Sequence, residues 1–175
     1  MIFIDIQYLR GKNNEIIIKE LAYIVVNDDG LIISSNTYFF RPPYSSSELL
    51  SKSLETNYWS TTHLHRFDWR YGQIEYSELP GILYDITQNT SLFGSIILVK
   101  GKEKRDLIEG ILKRDVINIE CIGCPRAQEI IVPTTVCHFH CELPSLRDFC
   151  ARALCEKYSQ WYLHTKKKRS NMVVE

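Results

Sequence analysis

No window of this chain approaches about 18 uninterrupted apolar residues, so no membrane-spanning helix is expected. The opening MIFIDIQYLR has no positively charged leading region and carries Asp5 inside its apolar run, which speaks against a secretory signal. Nor is there an excess of charge: 21 basic and 21 acidic side chains cancel to a formal net charge of zero. Any nucleic-acid role must therefore rest on a local patch. Internal repeats and low-complexity tracts are missing too. What remains is an ordinary globular composition in 175 residues, enough for one domain with a core of its own. Six cysteines without a secretory signal suggest reduced thiols or metal ligands, in cytoplasm or nucleus and not in a secreted protein.

The chemistry is concentrated between Cys121 and Cys141, CIGCPRAQEIIVPTTVCHFHC, which holds four of the six cysteines and two of the five histidines. Cys121 and Cys124 form a C-x-x-C pair, and Cys137, His138, His140 and Cys141 follow a gap with Pro125 and Pro133. That is more soft ligand than one tetrahedral zinc ion needs, and the clustering suits a closed structural site. Cys124, Cys137, His140 and Cys141 are the expected ligands, with His138 or Cys121 able to replace one of them. The competing reading is of buried cysteines packed as small apolar groups beside surface histidines. Glu20 is a weaker oxygen candidate, expected to face solvent. Cys150 and Cys155, inside the last helical pattern, are expected to pack.

Along the chain, residues 2–8, 15–26 and 31–40 read as three strands of an antiparallel meander, with Asn27-Asp28-Asp29-Gly30 as a hairpin turn. Residues 44–76 read as short helices and loops. A helix from Ser77 to about Gln88, a strand at 95–99, a helix at 102–113 and a strand at 116–119 follow. The apolar stripe of Leu146, Phe149, Ala153, Leu154, Tyr158 and Trp161 predicts a helix over about 145–164, with Ser145 and Asp148 placed as a capping box. The pattern predicts one α/β domain over 1–165, a mixed sheet flanked by helices, and a basic, flexible tail over 166–175.

Phe3-Ile4-Asp5-Ile6-Gln7 resembles the first motif of the DEDD-type 3′–5′ exonucleases, an apolar strand bearing Asp-x-Glu. Residues 19–43 resemble that family's second and third strands. Thr62-His63-Leu64-His65 with Trp69 and Gly72, Val99 to Asp106, and His140 to Ser145 resemble its later segments. A group of exonuclease-like proteins shares the elements Lys19–Ala22, Lys100–Lys104 and Gly123-Cys124-Pro125 together with a Cys/His cluster. In style the chain is also similar to the Maelstrom domain, a ribonuclease H-like fold with zinc in place of catalytic carboxylates. The resemblance implies a ribonuclease H-like fold, three antiparallel strands followed by parallel ones. It also implies that Asp5, Gln7 and Asp106 stand where the family holds two Mg²⁺ or Mn²⁺ ions. Gln7 is neutral, Ser145 replaces the last acid, and Asp148 lies three residues further on. A two-metal site needs several anionic oxygens at close range, so loss of ordinary catalysis is the expectation. By position His140 matches the family's general base.

Three functions follow as expectations. The first is a nucleic-acid-binding protein, single-stranded RNA favoured, with phosphates on Lys100, Lys102, Lys104 and Arg105 and bases stacked on Trp59, Trp69 or Tyr71. The second is a residual Mg²⁺- or Mn²⁺-dependent nuclease using Asp5 and Asp106. The third is a protein-interaction module on a dead nuclease fold.

Overall fold

A computed structural model describes residues 1–88, 95–142 and 144–172. The β-branched run ahead of the first turn pairs with the opening strand, as residues of that kind favour. β1 (Ile2–Arg10) and β2 (Ile16–Val26) are antiparallel, from Ile2 opposite Val25 to Arg10 opposite Ile16. The turn that follows is closed by the Gly30 amide donating to the Asn27 carbonyl, with Gly30 at φ 84°. Only glycine takes that conformation without strain. β3 (Ile32–Arg41) returns antiparallel to β2. The two-residue β4 (Ile74–Glu75) lies parallel to the end of β3. β5 (Ile97–Val99) adds to the far side of β1 in parallel, and β6 (Val116–Asn118) adds in parallel outside β5. Among the described residues, the mixed sheet has six strands in the order β4-β3-β2-β1-β5-β6.

Among the described residues, four helices flank it: α1 (Ser51–His63), α2 (Leu79–Gln88), α3 (Lys102–Leu112) and α4 (Ala151–Met172). Side chains alternate across a strand, so the central strands feed two cores. Ile2, Ile4 and Ile6 pack with Leu79, Leu83 and Ile86 of α2 and with Ile108 of α3. Phe3, Ala22, Ile24 and Leu98 pack with Ala151, Leu154, Cys155 and Tyr158 of α4. Among the described residues, no helix is long and apolar enough to cross a membrane.

A bulge sets the position of the site. The pairing passes from Gln7 opposite Glu20 directly to Tyr8 opposite Ile18, which leaves Lys19 as the extra residue. Lys19 is fully buried, and its Nζ donates to the carbonyls of Trp69 (2.7 Å) and Tyr71 (2.5 Å). Glu20 stays in phase with Ala22 and Ile24 and points toward α4, where Ala151 donates to it.

Two elements differ from the pattern reading. Within the stretch read as short helices and loops, 51–63 form the 13-residue helix α1, whose buried residues are Ser53 and Asn57. Ser53 Oγ donates to the Gly11 carbonyl, while Asn57 Oδ1 and Nδ2 bracket the backbone of Arg10. A helix held by polar groups has no apolar period to find. The last helix starts later than expected. Residues Pro144–Phe149 form a 3-10 turn, α4 begins at Ala151, and Asp148 accepts from Lys157 instead of capping it. At the other end α4 runs past the expected end near 164, through the basic stretch to Met172. Lysine and arginine are good helix formers, so no break is encoded there.

Candidate metal centre

Four buried side chains from three places in the chain converge at the N-terminus of α4. Glu20 comes from β2. Cys137 and His140 come from the turn after residue 136, where the His140 amide donates to the Cys137 carbonyl. Cys150 is the residue just before α4. One ligating atom from each lies within 4.8 Å of every other. All four are buried, with Glu20, His140 and Cys150 fully so and Cys137 at 2 %. Among the described residues this is the one group of three or more His, Cys, Asp or Glu side chains placed to hold a metal ion.

The hydrogen bonds around the group orient its donors inward. His140 Nε2 lies 2.9 Å from the His65 carbonyl, which accepts only if Nε2 carries the proton. That leaves Nδ1 bare, 3.1 Å from Cys137 Sγ. His65 is buried in turn. Its Nε2 lies 3.1 Å from the Tyr8 carbonyl and its Nδ1 accepts from the Phe67 amide, and burial pushes its pKa down to about 4. It is a neutral strut between β1 and the Cys/His turn. The Ala151 amide, first in α4, donates to Glu20 Oε2 at 2.9 Å, and the Cys137 amide donates to Cys150 Sγ at 3.3 Å. Phe67 and Phe139 stack at 4.4 Å, and both meet the His140 ring edge-on or nearly so, which closes the solvent side.

Electrostatics without an ion are poor. Burial holds Glu20 well above the usual carboxylate range, and the nearby Cys150 thiolate adds to it, against the Ala151 amide. Cys150 is pulled down by its hydrogen bonds with Cys137 and His140, and Cys137 is pushed up by the same pairing. A buried carboxyl and two thiols sharing protons is an arrangement that a divalent cation resolves, because all three become anionic ligands.

Cys137 and His140, expected from the sequence, are brought together; Cys124 and Cys141 are not part of the group. Cys124 packs with Ile119, Ile130 and Leu154 in the core beneath α4, where burial raises its pKa to about 11. Cys141 is exposed, and its thiol donates to the His138 carbonyl at 2.9 Å. Cys121 is exposed as well. Glu20 and Cys150 take the places instead, so the solvent-facing reading of Glu20 and the packing reading of Cys150 are corrected. Cys155 does pack, fully buried, with its thiol toward the Phe3 and Ala22 carbonyls. The signal for Glu20 was there: a charge inside an otherwise apolar run on a central strand needs a buried partner.

Beside the centre on β1, Asp5 is 1 % exposed, in the middle of the sheet and not at its edge. Lys104 Nζ donates to both its oxygens, at 2.9 and 3.2 Å, and Gln7 Nε2 donates to Oδ2 at 3.3 Å. Burial still holds Asp5 above the ordinary carboxylate range, against the pull of Lys104. Asp106 does not join it: exposed on α3, it pairs with Arg105 at 2.8 Å. The basic cluster is largely neutralised, since Lys100 pairs with Glu120, Lys104 with Asp5, and Arg105 with Asp106 and Glu109. Trp69 is 9 % exposed and donates its Nε1–H to the Tyr44 carbonyl, which removes it as a stacking surface. Tyr71 packs into the aromatic group with Phe39, Phe67 and Phe139. Trp59 is 53 % exposed and stacks on His63.

Compared with protein-family models and with curated proteins, the chain matches none.

Proposed function

We propose that this chain is a ribonuclease H-like domain of the exonuclease-like type in which a structural zinc ion has replaced the hard-metal chemistry, and that it binds single-stranded nucleic acid, RNA favoured, without cutting it. One observation carries the reading: a buried Glu20–Cys137–His140–Cys150 group lies next to an Asp5 whose charge Lys104 already answers. Two thiolates, an imidazole and one carboxylate suit Zn²⁺ and are too soft a set for Mg²⁺. Tetrahedral bonds of about 2.0–2.3 Å put neighbouring ligand atoms some 3.3–3.8 Å apart, inside the observed spread. The centre ties β2, the Cys/His turn and the start of α4 together. The scaffold reading is supported by the order β3-β2-β1-β5-β6, in which β2 alone opposes the other strands. The silent reading is supported by the company of Asp5, an ammonium and an amide where two divalent ions would need carboxylates.

For the ligand, support comes from exposed rings and one open cation. Tyr58 and Trp59 are 74 % and 53 % exposed on α1, and Lys102 is exposed with no ion pair among the described residues. Aromatic faces of this kind stack unpaired bases. Zinc quantification by mass spectrometry, with titration of a fluorescent single-stranded RNA over a salt series, tests the reading. One zinc per chain and binding that falls steeply with salt are expected. Cleavage of the RNA with Mg²⁺ or Mn²⁺, abolished by Asp5→Ala, would overturn the silent part. Absence of binding at low salt would favour a protein-interaction module.

A further inference from the structure

We infer that the seam between β6 and the last turns of α4 is a base pocket: it takes one unpaired nucleobase of single-stranded RNA, and Lys166 and Lys168 take the flanking phosphates, a placement that rests on the nucleic-acid reading above. α4 lies on the side of the sheet to which Phe3 and Leu98 point. Between its second half and the outer strands is a recess of about 270 Å³. Leu98, 1 % exposed, forms the floor. Ile117 of the edge strand β6 and Ile122 form one wall, and Trp161 and Tyr162 of α4 form the other. Thr165 and the exposed Lys166, one helical turn further on, complete the lining.

These walls suit a flat ring. Tyr162 is held edge-on against Phe3, with 5.7 Å between centroids, and the Trp161 ring stands 6.5 Å from it at 60°. Aromatic faces fixed beside an apolar floor stack a base whatever its identity. The volume falls just short of the roughly 300–1,000 Å³ of pockets that bury a drug-sized molecule. One ring system fits, and an acyl chain is left largely outside.

Charge identifies the rest of the ligand. Lys166, Lys167 and Lys168 are consecutive and exposed, and Lys167 and Lys168 have no ion pair among the described residues. Lys168 is three residues after Thr165, so it stands on the face of α4 that lines the recess. On the other side, Lys100 lies two residues beyond Leu98 and faces the same way, 6.0 Å from the Tyr158 ring, though Glu120 shares it at 3.2 Å. Tyr158 precedes Trp161 and Tyr162 by one turn of α4. The exposed Lys102, already assigned to the ligand, follows Lys100 at the start of α3. An apolar ring site with cations on both sides matches a strand that carries bases on a phosphate backbone.

Fluorescence anisotropy of a labelled oligouridylate, against an abasic strand of equal length, tests this at low salt. The abasic strand keeps the phosphates and lacks the rings. The wild-type chain should bind oligouridylate about tenfold or more tighter than the abasic strand. Thr165→Phe fills the recess from the surface of α4 and should abolish that preference, with the melting temperature unchanged. Ile117→Trp, at a position 40 % exposed, fills it from the strand side as a second variant. Lys168→Gln should reduce the slope of log affinity against log salt by about 0.7 for both strands. A preference that survives both filling variants would overturn the pocket while leaving nucleic-acid binding intact. A wild-type chain that binds neither strand would remove both readings. Phosphatidylserine vesicles bound more tightly than oligouridylate, with Thr165→Phe abolishing it, would give the recess to a lipid and overturn the base assignment.

Discussion

Lys104 reaches across from α3 to hold both carboxylate oxygens of Asp5, a residue buried in the middle of the sheet. The ammonium supplies the positive charge that a buried carboxylate needs, at the one acidic position of β1. Removing one partner of such a pair leaves an unanswered charge, which costs about 3–5 kcal/mol. Lys104→Met should therefore destabilise the chain by that order in urea unfolding, and Asp5→Asn in the same background should recover most of the loss. A single variant as stable as the parent would show that the pair has no such part.

Removal of the proposed zinc should loosen the N-terminus of α4 first, because Glu20, Cys137 and Cys150 would then be left in poor protonation states. A strong chelator is expected to lower the melting temperature and to cost several kcal/mol, in line with the roughly 10 kcal/mol that structural zinc can supply. Hydrogen exchange should rise at Ala151 and its neighbours. Cys150→Ala and Glu20→Ala should mimic the chelated state.

Cys124→Ser and Cys141→Ser are the matching controls. Neither thiol belongs to the buried group, so the proposed content of one zinc per chain should be unchanged in both. Cys141→Ser should also leave stability nearly unchanged, because that residue is exposed. Zinc lost in either variant would move the ligand set back toward the Cys/His segment alone.

Lys19 gives a pH dependence of definite sign. Burial lowers its pKa to about 7, against the attraction of Asp68. The unfolded chain then binds more protons than the folded one between about pH 7 and the ordinary lysine value of 10.5. Stability from this group must rise as pH rises through that window, and the penalty is full below it. The two carbonyls that accept from Nζ moderate the effect, so roughly 5 kcal/mol is its ceiling. Urea unfolding of the parent and Lys19→Met at pH 7 and pH 9.5 should show the parent gaining on the variant. An equal response in both would place the Lys19 pKa near its ordinary value.

Local spacing in the chain already carried the strands other than β4, the Asn27–Gly30 turn, the helices after residue 77 and the Cys137–His140 pair, because each rests on contacts between near neighbours. It carried neither the place and length of α1, whose buried face is polar, nor the identity of the second thiol. Those depended on long-range placement. The bulge at Lys19 keeps Glu20 on the face toward α4, 131 residues before the Ala151 amide it meets, and the fold carries Lys104 to Asp5 across 99 residues. A buried charge announces in the sequence that it needs a partner. Which partner it finds is set by which strands lie side by side and which helix end closes over them.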